Sequence, residues 1–403
     1  MNLLLFICSA YSHPIILIPG SFRSRLNITT NRRAAWYCPK ELDHEFLWIN
    51  VKYFLPPYLK CFIDWMTVDY NETTDTLQNR KGVDIFADDF GGLSGVRGTG
   101  PNLLGTTLPY FNTIVKEFEK RGYVEGRDLF GAPYDWRLGA AQPESYFVAL
   151  KELVEKAYYQ NNHTSVSLIG HSLGCQVQHI FLTEKTTPEW RRKFINMSTL
   201  IAPSWSGSGT SFNTLWRIQT PFISFLKLKD ITEFASTIGT LHIHIPHMLG
   251  YQNTTLFIDP DGVNHTGAEL VDELLKHQKL QARHLKVAER NLKYVRRWPP
   301  PPDVDTNILF NSGIKTALGL KVSSWNGLGA SIYQKGDGLV GSAVIEWVIK
   351  NWKTNSTIRY HDMNSPKLRF KHKNLLVSNE SVQVLLDWHV PNQVNHIVRK
   401  DEL

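Results

Sequence analysis

Three short apolar runs are each typical of a strand that is buried on both faces. Ile15–Ile18 is continuously apolar and ends at Pro19-Gly20. Val166–Gly170 is a second run, followed by a stretch with helical character from Gly174 to Glu184, and Leu200–Pro203 is a third. Alternation of buried strands with helices predicts an α/β fold with a mainly parallel sheet.

Two longer segments do not fit a minimal sheet. Residues 36–66 are dense in aromatic side chains, and residues 206–298 form a long insertion. Within the insertion, apolar positions recur with helical period from Val271 to Val295 while the opposite face is basic, which predicts one amphipathic helix. The prolines Pro299–Pro302 end that helix.

Composition and charge exclude several classes of protein. The 403 residues are 42% hydrophobic and 20% charged, which excludes a disordered chain. Away from the N-terminus no apolar run approaches the ~20 residues of a membrane span, which excludes a multi-span membrane protein. The net charge of +7 is compatible with nucleic acid, an anionic membrane or a solvated surface. Nucleic acid is disfavoured because no zinc-finger, basic-zipper or ribonucleoprotein motif is present.

The two ends of the chain and its glycosylation sequons predict the lumen of the secretory pathway. Residues 1–12 resemble a signal peptide, with a buried first strand as the alternative. The terminal Lys400-Asp401-Glu402-Leu403 is a retention signal for the endoplasmic reticulum, unless the C-terminus is shortened. The protein is therefore expected to be secreted, lysosomal or retained. Asn-x-Ser/Thr sequons begin at Asn27, Asn71, Asn162, Asn196, Asn253, Asn264, Asn355 and Asn379.

The four cysteines are too few to build a disulfide scaffold. In an oxidising compartment Cys38 and Cys61 could close a short loop, worth about 3 kcal/mol on the chain-entropy estimate. Cys8 leaves with the signal peptide, and Cys175 stays unpaired.

The strongest chemical signal is the pentapeptide Gly170-His171-Ser172-Leu173-Gly174, a G-x-S-x-G pattern. An apolar strand precedes it and a helix follows it, which is the strand–turn–helix of a nucleophile elbow. The alternative is an ordinary strand-to-helix turn. The pattern predicts Ser172 as the nucleophile.

A serine nucleophile needs a histidine base and an orienting carboxylate, which follow it in the chain order Ser, Asp or Glu, His on this fold. Asp337 lies between Gly336 and Gly338 in a predicted tight loop and is favoured over Asp387. His396, which follows Pro391, is favoured as the base and His389 is its main rival. The other histidines downstream of Asp337 are His361 and His372.

Ester cleavage also requires donors for the oxyanion of the tetrahedral intermediate. We predict the backbone amides of Leu173, which follows the nucleophile, and of Ser21, which follows the first strand. No metal cluster or nucleotide-binding loop is evident in the sequence, so we predict no cofactor and no metal.

The chain resembles the lecithin–cholesterol acyltransferase family, which includes a lysosomal phospholipase and transacylase branch. The similarity runs in family order from residue 13 to about residue 396. The segments that carry it are His13–Gly20, the pair Cys38 and Cys61 followed by Phe62-Ile63-Asp64, Ala132-Pro133-Tyr134-Asp135-Trp136-Arg137, Gly170–Cys175, Ala202-Pro203 with Trp205 and Gly207, and Gly336–Gly338.

The resemblance implies an α/β-hydrolase core in residues 13–35, 67–205 and 301–403. It implies a membrane-binding region in residues 36–66, closed by a Cys38–Cys61 disulfide, and a cap with a lid in residues 206–300. It supports Ser172, Asp337 and His396 as the triad, with Ser21 and Leu173 as oxyanion donors. It implies phospholipid as acyl donor and a sterol, another lipid alcohol or water as acceptor.

An enzyme that acts on lipid must dock on a membrane or lipoprotein surface. Phe46, Trp48, Phe54 and Trp65 are the predicted inserting residues, unless they pack in a core. The function predicted first is a lipid O-acyltransferase that forms a serine acyl-enzyme. A phospholipase of the A type is the alternative, and a non-catalytic lipid-binding protein is less favoured. An activator protein is not identifiable from the sequence.

Overall fold

A computed structural model describes residues 12–99, 108–217, 234–280, 284–325, 327, 329–365 and 367–390 of the chain. Three predictions fall outside these residues: the signal peptide apart from Ser12, the retention signal Lys400–Leu403, and His396 as the base. They stay predictions.

The strands are short and are numbered in chain order. They are β1 (Ile15–Ile18), β2 (Leu26–Thr30), β3 (Leu42–Trp48), β4 (Val68–Asn71), β5 (Thr76–Asn79), β6 (Val83–Ala87), β7 (Gly98–Thr99), β8 (Leu108–Pro109), β9 (Leu129–Gly131), β10 (Val166–His171), β11 (Ile195–Ile201), β12 (Thr255–Ile258), β13 (Asn264–Thr266), β14 (Thr306–Phe310), β15 (Ile314–Val322), β16 (Gly329–Gly336) and β17 (Ile358–Asp362).

The helices are numbered in the same way. They are α1 (Leu59–Met66), α2 (Ser94–Arg97), α3 (Asn112–Glu119), α4 (Glu144–Gln160), α5 (Leu173–Glu184), α6 (Pro188–Phe194), α7 (Gly209–Arg217), α8 (Gly239–Ile243), α9 (Leu270–Lys276), α10 (Leu285–Val295), α11 (Ala343–Asn351), α12 (Asn374–Val377) and α13 (Asn379–His389).

The core of the molecule is a six-stranded sheet in the order β17-β14-β11-β10-β1-β9, and all its neighbours pair in parallel. The central strands β1 and β10 are buried along their whole length, as their continuous apolar runs predict. Helices join the strands, so the α/β-hydrolase core with a mainly parallel sheet is confirmed. Because all the strands point the same way, the loops after β1, β10 and β17 meet at one edge of the sheet.

The insertion after residue 206 contributes to a second sheet, in the order β13-β12-β15-β16. Strand β12 pairs in parallel with β15, which pairs in antiparallel with β16. The sheet therefore continues past the predicted boundary of the cap at residue 300, and the hairpin of β15 and β16 links the cap to the loop that carries Asp337.

The single helix predicted from Val271 to Val295 is wrong. Helix α9 ends at Lys276 and α10 begins at Leu285. Gln278, between them, has a φ of 54°, which lies outside the right-handed helical region. The ring of His277, the C-cap of α9, stacks on Trp325 with 3.9 Å between ring centroids. The helical period of apolar positions therefore continues in the sequence, although the chain turns between α9 and α10.

The aromatic segment forms a small lobe against the core. Strand β3 pairs with β2, which also pairs with β6, in an antiparallel sheet. The disulfide joins Cys38 to Cys61 in α1, with 5.7 Å between the Cα atoms. This confirms the predicted pairing. Cys175 is free and buried.

Candidate active site

Ser172 lies at the sharp bend between β10 and α5. Its φ of 55° and ψ of −119° are strained for a residue with a side chain. The backbone is held in this conformation because the Ser172 amide donates to the carbonyl of Ile201 at 2.9 Å and its carbonyl accepts from Cys175 at 3.1 Å. This is the geometry of a nucleophile elbow, as the sequence predicts.

The glycines of the pentapeptide are required by close packing around the bend. A Cβ on Gly174 would lie 2.2 Å from the carbonyl oxygen of Ile18, and a Cβ on Gly170 would lie 2.8 Å from the Gln178 side chain. Any larger residue would push α5 away from β1 and displace the nucleophile.

Asp337 lies just beyond β16, in the tight loop that the flanking glycines predict. Its Oδ1 accepts from the amides of Leu339 at 3.0 Å and Val340 at 2.8 Å. Gly338 has a φ of 91°, a conformation that favours glycine. The carboxylate is buried, and its Oδ2 is left to orient a histidine. Asp387, the weaker candidate, is exposed and bonds only to Gln383 among the described residues.

The histidine on this carboxylate is His372. Its Nδ1 lies 2.7 Å from Asp337 Oδ2, and its amide donates to the Asp337 carbonyl at 2.9 Å. With a proton on Nδ1 that donates to the carboxylate, Nε2 is free to accept a proton. His372 and Ser172 line the same cavity. His372 is thus the described histidine that combines contact with the acid and access to the nucleophile's cavity.

The two histidines favoured from the sequence do not have this contact among the described residues. The Nε2 of His389, at the end of α13, bonds to Thr199 Oγ1 at 2.9 Å. Burial lowers the pKa of His389 to about 3, with smaller contributions from the charges of His13 and Arg359. His389 is therefore a neutral core histidine, and its role as the rival base is wrong. His396 lies outside the described residues. His361, on the edge strand β17, is exposed.

The sequence would have favoured His372 if β17 had been recognised as the last strand of the sheet. Strand β17 has the sequence Ile-Arg-Tyr-His-Asp and lies at the edge of the sheet, so it lacks the apolar run that reveals a central strand. Recognising it as the last strand of the sheet would have drawn attention to the loop that follows it. His372 lies in that loop, and His389 lies beyond another helix.

The loop after β1 approaches the nucleophile closely. A Cβ on Gly20 would lie 2.9 Å from the Cβ of Ser172. The Ser21 amide follows directly, and the Leu173 amide is in the first turn of α5, where N–H groups have no partner within the helix. Both predicted oxyanion donors therefore lie beside Ser172.

A chain of hydrogen bonds fixes this loop. The amide of Gly20 donates to the hydroxyl of Tyr110 at 2.8 Å, and this hydroxyl lies 2.5 Å from Nδ1 of His171. Burial lowers the pKa of His171 well below its usual value, and the neighbouring His372 and Arg23 lower it further. A neutral His171 accepts from Tyr110 through Nδ1, so Tyr110 connects the loop after β1 to the elbow.

The cavity around Ser172 contains about 1660 Å³ of non-protein space, part of it open to solvent. Aromatic side chains line one part of it, among them Phe22, Trp48 and Trp136. Leu339, Leu376 and other aliphatic residues line another part, close to His372. A cavity of this kind can hold long acyl chains beside the nucleophile.

Three of the four aromatic residues predicted to insert into lipid are buried. The side chains of Trp48 and Phe54 are each 8% exposed, and that of Trp65 is 0% exposed. Trp48 packs on Trp136 with 4.8 Å between ring centroids and lines the cavity. The prediction is wrong for these three, because an aromatic-rich segment also supplies the core of its own lobe. Phe46 is half-buried beneath the guanidinium of Arg25.

Two further properties bear on the site. Among the described residues no group of three His, Cys, Asp or Glu side chains could hold a metal ion. No helix in the described part of the chain is both long enough and apolar enough to cross a membrane.

The family model for lecithin:cholesterol acyltransferase matches residues 44–327. The chain is 27% identical to the lysosomal phospholipase A and acyltransferase of Bos taurus over 81% of this chain and 80% of that protein. It is 28% identical to the phosphatidylcholine-sterol acyltransferase of Rattus norvegicus over 93% of this chain and 84% of that protein.

A solved structure shares the fold. A chain in the crystal structure of the Tle4–Tli4 complex superimposes with a TM-score of 0.56 at 12% identity, over 93% of this chain and 97% of that chain. At this level of identity the likeness concerns the fold alone.

Proposed function

Because the chain belongs to the lecithin:cholesterol acyltransferase family, we propose that it transfers a fatty acyl group from a phospholipid to a lipid alcohol through an acyl-enzyme on Ser172. The observation that supports this most is a single apolar cavity lined by Ser172 and by His372, whose Nδ1 contacts Asp337. The relatives are named for acyl transfer and for phospholipase activity.

In the first half of the reaction, Nε2 of His372 takes the proton of the Ser172 hydroxyl as Oγ attacks the ester carbonyl. The Ser21 and Leu173 amides donate to the oxyanion, and Asp337 stabilises the imidazolium. Collapse of the intermediate breaks the ester bond, and the lysophospholipid oxygen leaves with the proton held on His372. The acyl group remains on Ser172.

In the second half, an acceptor hydroxyl enters the same cavity. His372 removes its proton, the acceptor oxygen attacks the acyl-enzyme, and the proton returns to Ser172 Oγ. A lipid alcohol gives an acylated lipid, and water gives a free fatty acid. A cavity lined mostly by apolar side chains favours a lipid alcohol as the acceptor.

Hydrolysis is the second candidate function, since the relative from Bos taurus is named for both activities. Product analysis on phosphatidylcholine liposomes, with and without a long-chain alcohol, separates the two. We expect acylated alcohol to rise with alcohol content as free fatty acid falls. If free fatty acid is the only product at every alcohol content, the acyltransferase proposal is wrong and the protein is a phospholipase.

We further propose that the lobe containing residues 36–66 docks on lipid through a different set of residues from the one predicted. Trp36, Val51 and Leu55 are 81%, 61% and 54% exposed. The Cys38–Cys61 disulfide ties the chain just after Trp36 to the helix that follows Leu55. Exposed apolar residues on a lobe that also exposes several lysines fit a lipid surface.

The triple variant Trp36→Ser, Val51→Ser, Leu55→Ser tests this docking. We expect at least tenfold weaker binding to liposomes, because each apolar side chain that enters lipid contributes on the order of 1 kcal/mol or more. Tyr360→Ser is the matched control, since Tyr360 is 57% exposed on β17, away from this lobe. Equal liposome binding by the triple variant and the control would contradict the proposal.

The protein is proposed to enter the secretory pathway. The disulfide and the lysosomal relative support this. Of the sequons, Asn162, Asn253, Asn264, Asn355 and Asn379 are exposed, whereas the half-buried Asn196 donates its side-chain amide to Ser167. Glycans are therefore expected on the exposed group.

A further inference from the structure

Two cationic side chains line the mostly apolar cavity of Ser172, and the proposed reaction does not use either of them. Arg23 follows the oxyanion loop, and its amide donates to the carbonyl of Gly20 at 3.2 Å. Lys373 directly follows His372 at the start of α12. One cation is therefore close to the predicted oxyanion donors, and the other is next to the base.

The guanidinium of Arg23 is held by weak neutral contacts. It lies 5.2 Å from the centroid of the Tyr110 ring, and Nη1 donates to Thr99 Oγ1 at 3.4 Å, a long hydrogen bond. Thr99 and Tyr110 both line the cavity. These contacts orient the side chain along the cavity wall and leave several of its donors for a ligand.

Among the described residues neither Arg23 nor Lys373 forms an ion pair with a carboxylate. Other arginines near the surface do: Arg32 and Arg80 both pair with Asp64, at 2.7 Å and 2.6 Å. Arg23 is partly exposed and lines the cavity, so its guanidinium can contact a ligand there. The positions suit an anion that enters with the substrate.

The buried hydroxyl of Ser21, near Arg23 in the sequence, also indicates a ligand in this part of the cavity. The hydroxyl of Ser21 is buried without a hydrogen-bond partner among the described residues, and Ser21 lines the cavity between Gly20 and Arg23. A buried hydroxyl normally has a partner, so its absence indicates that a ligand or solvent supplies one.

We propose that Arg23 and Lys373 bind the phosphate of the acyl donor at the mouth of the cavity, and that they make the enzyme prefer phospholipids with a net negative headgroup. The inference rests on the proposed function and identifies its donor class. In a glycerophospholipid the phosphate is joined through a few bonds to the glycerol carbons that carry the esters. A carbonyl beside Ser172 therefore brings the phosphate close to residues that flank the oxyanion loop and the base.

The preference follows from charge. Guanidinium and ammonium donors form strong charge-assisted hydrogen bonds to phosphate oxygens. In phosphatidylcholine a quaternary ammonium neutralises the phosphate and would approach one of the two cations. Phosphatidylglycerol has no such group, so both cations act on an uncompensated negative charge.

The test uses monomeric substrates, because charged liposomes would also change surface binding. Dihexanoyl phosphatidylglycerol and dihexanoyl phosphatidylcholine are assayed below their critical micelle concentrations, with p-nitrophenyl butyrate as an ester without phosphate. In the wild type we expect kcat/KM for the glycerol lipid to exceed that for the choline lipid about tenfold.

In Arg23→Gln and in Lys373→Gln the ratio of kcat/KM for phosphatidylglycerol to that for the butyrate ester should fall about tenfold, mainly through KM. The charge-conserving variants Arg23→Lys and Lys373→Arg should retain most of the ratio. Lys350→Gln, an exposed lysine at the end of α11 outside the cavity lining, is the matched control and should leave the ratio unchanged.

Three results are decisive. A falling ratio that the conservative variants restore supports the phosphate site. An unchanged ratio in both neutral variants, with butyrate hydrolysis intact, overturns the phosphate site and leaves the proposed function standing. Wild-type protein that is folded yet cleaves none of the three esters overturns both. Lys373 is exposed, so its variant stays informative even if Arg23→Gln lowers the melting temperature.

Discussion

The proposed nucleophile, Ser172, and the proposed base, His372, are held in place in different ways. Ser172 lies at the bend between β10 and α5, and its backbone conformation is fixed by the strand and helix on either side. His372 lies in a loop after an edge strand, and its contacts come from Asp337, in the loop after β16 of the second sheet. The proposed nucleophile is thus positioned by local structure and the proposed base by tertiary packing.

This difference explains why the bend at Ser172 could be recognised in the sequence, whereas the histidine beside Asp337 could not. A local bend leaves a local signature, since Gly170 and Gly174 are needed wherever a strand and helix meet so closely. A histidine positioned by packing leaves no pattern around it. The distinction predicts that a variant of His372 will lose activity with little loss of stability, and that a variant of His389 will lose stability with little loss of activity.

The largest expected effect is on catalysis by His372→Ala. Loss of the base should lower kcat/KM on a phospholipid or a soluble ester by about 10⁵-fold, with little change in melting temperature. His389→Ala should do the reverse, because it removes a buried hydrogen bond to Thr199 and leaves the site intact. It should destabilise the fold by about 2 kcal/mol while activity per folded molecule stays within a few fold.

These two variants, with His396→Ala beside them, are compared by steady-state kinetics and by chemical denaturation. Wild-type activity in His372→Ala together with loss of activity in His396→Ala would show that the sequence-based choice was right and that His372 is structural.

Asp337→Asn should give the next largest effect. The amide cannot accept a hydrogen bond from Nδ1 of His372 as well as a carboxylate does. The productive tautomer of the imidazole is then no longer favoured, and no negative charge stabilises the imidazolium. We expect kcat to fall about 10⁴-fold at neutral pH while KM changes little. A loss smaller than tenfold would show that Asp337 only closes its loop through the amides of Leu339 and Val340. Asp387→Asn is the matched control.

The smallest expected effect concerns stability and pH. Burial lowers the pKa of His389 to about 3 in the folded state, whereas an unfolded histidine titrates near 6.5. As pH falls below about 6.5, the unfolded state takes up a proton that the folded state does not, so stability falls until the pH approaches the folded pKa. Between pH 7 and pH 5 this one group costs about 2 kcal/mol.

His389→Gln removes that contribution. The variant should be less stable than the wild type at pH 7, and the difference in the free energy of unfolding should narrow by about 2 kcal/mol at pH 5. His163→Gln, at an exposed position, is the control for the substitution itself and should leave the free energy of unfolding at pH 7 close to that of the wild type. A constant gap between His389→Gln and wild type at both pH values would contradict a neutral, buried His389.

Much of the framework could be predicted from the chain alone. Strands β1 and β10, the elbow at Ser172 and the Gly-Asp-Gly loop at Asp337 all follow from neighbouring residues. The Cys38–Cys61 pairing follows instead from the small number of cysteines and from the resemblance to the family. The segment from Val271 to Val295 kept a helical period although the chain turns between α9 and α10. A helical period of apolar positions does not reveal a turn when the residues on both sides of the turn still pack in the same core.

The aromatic lobe shows a second limit. Composition indicates that residues 36–66 are rich in large apolar side chains, but not which of them face outward. Trp48 and Trp65 pack inward, whereas Trp36 and the smaller Val51 and Leu55 remain exposed. The direction in which each side chain points depends on the pairing of β3 with β2 and on the disulfide, which are contacts between distant parts of the chain.

The central claim is that Ser172 is activated by His372, and covalent labelling tests it most directly. A fluorophosphonate with an alkyl chain is incubated with wild type, His372→Ala and His389→Ala, and the modified residue is located by peptide mass spectrometry. We predict modification of Ser172 in wild type and in His389→Ala at similar rates, and at least 10³-fold slower in His372→Ala. Labelling of a different residue, or of Ser172 at an undiminished rate in His372→Ala, would contradict the account.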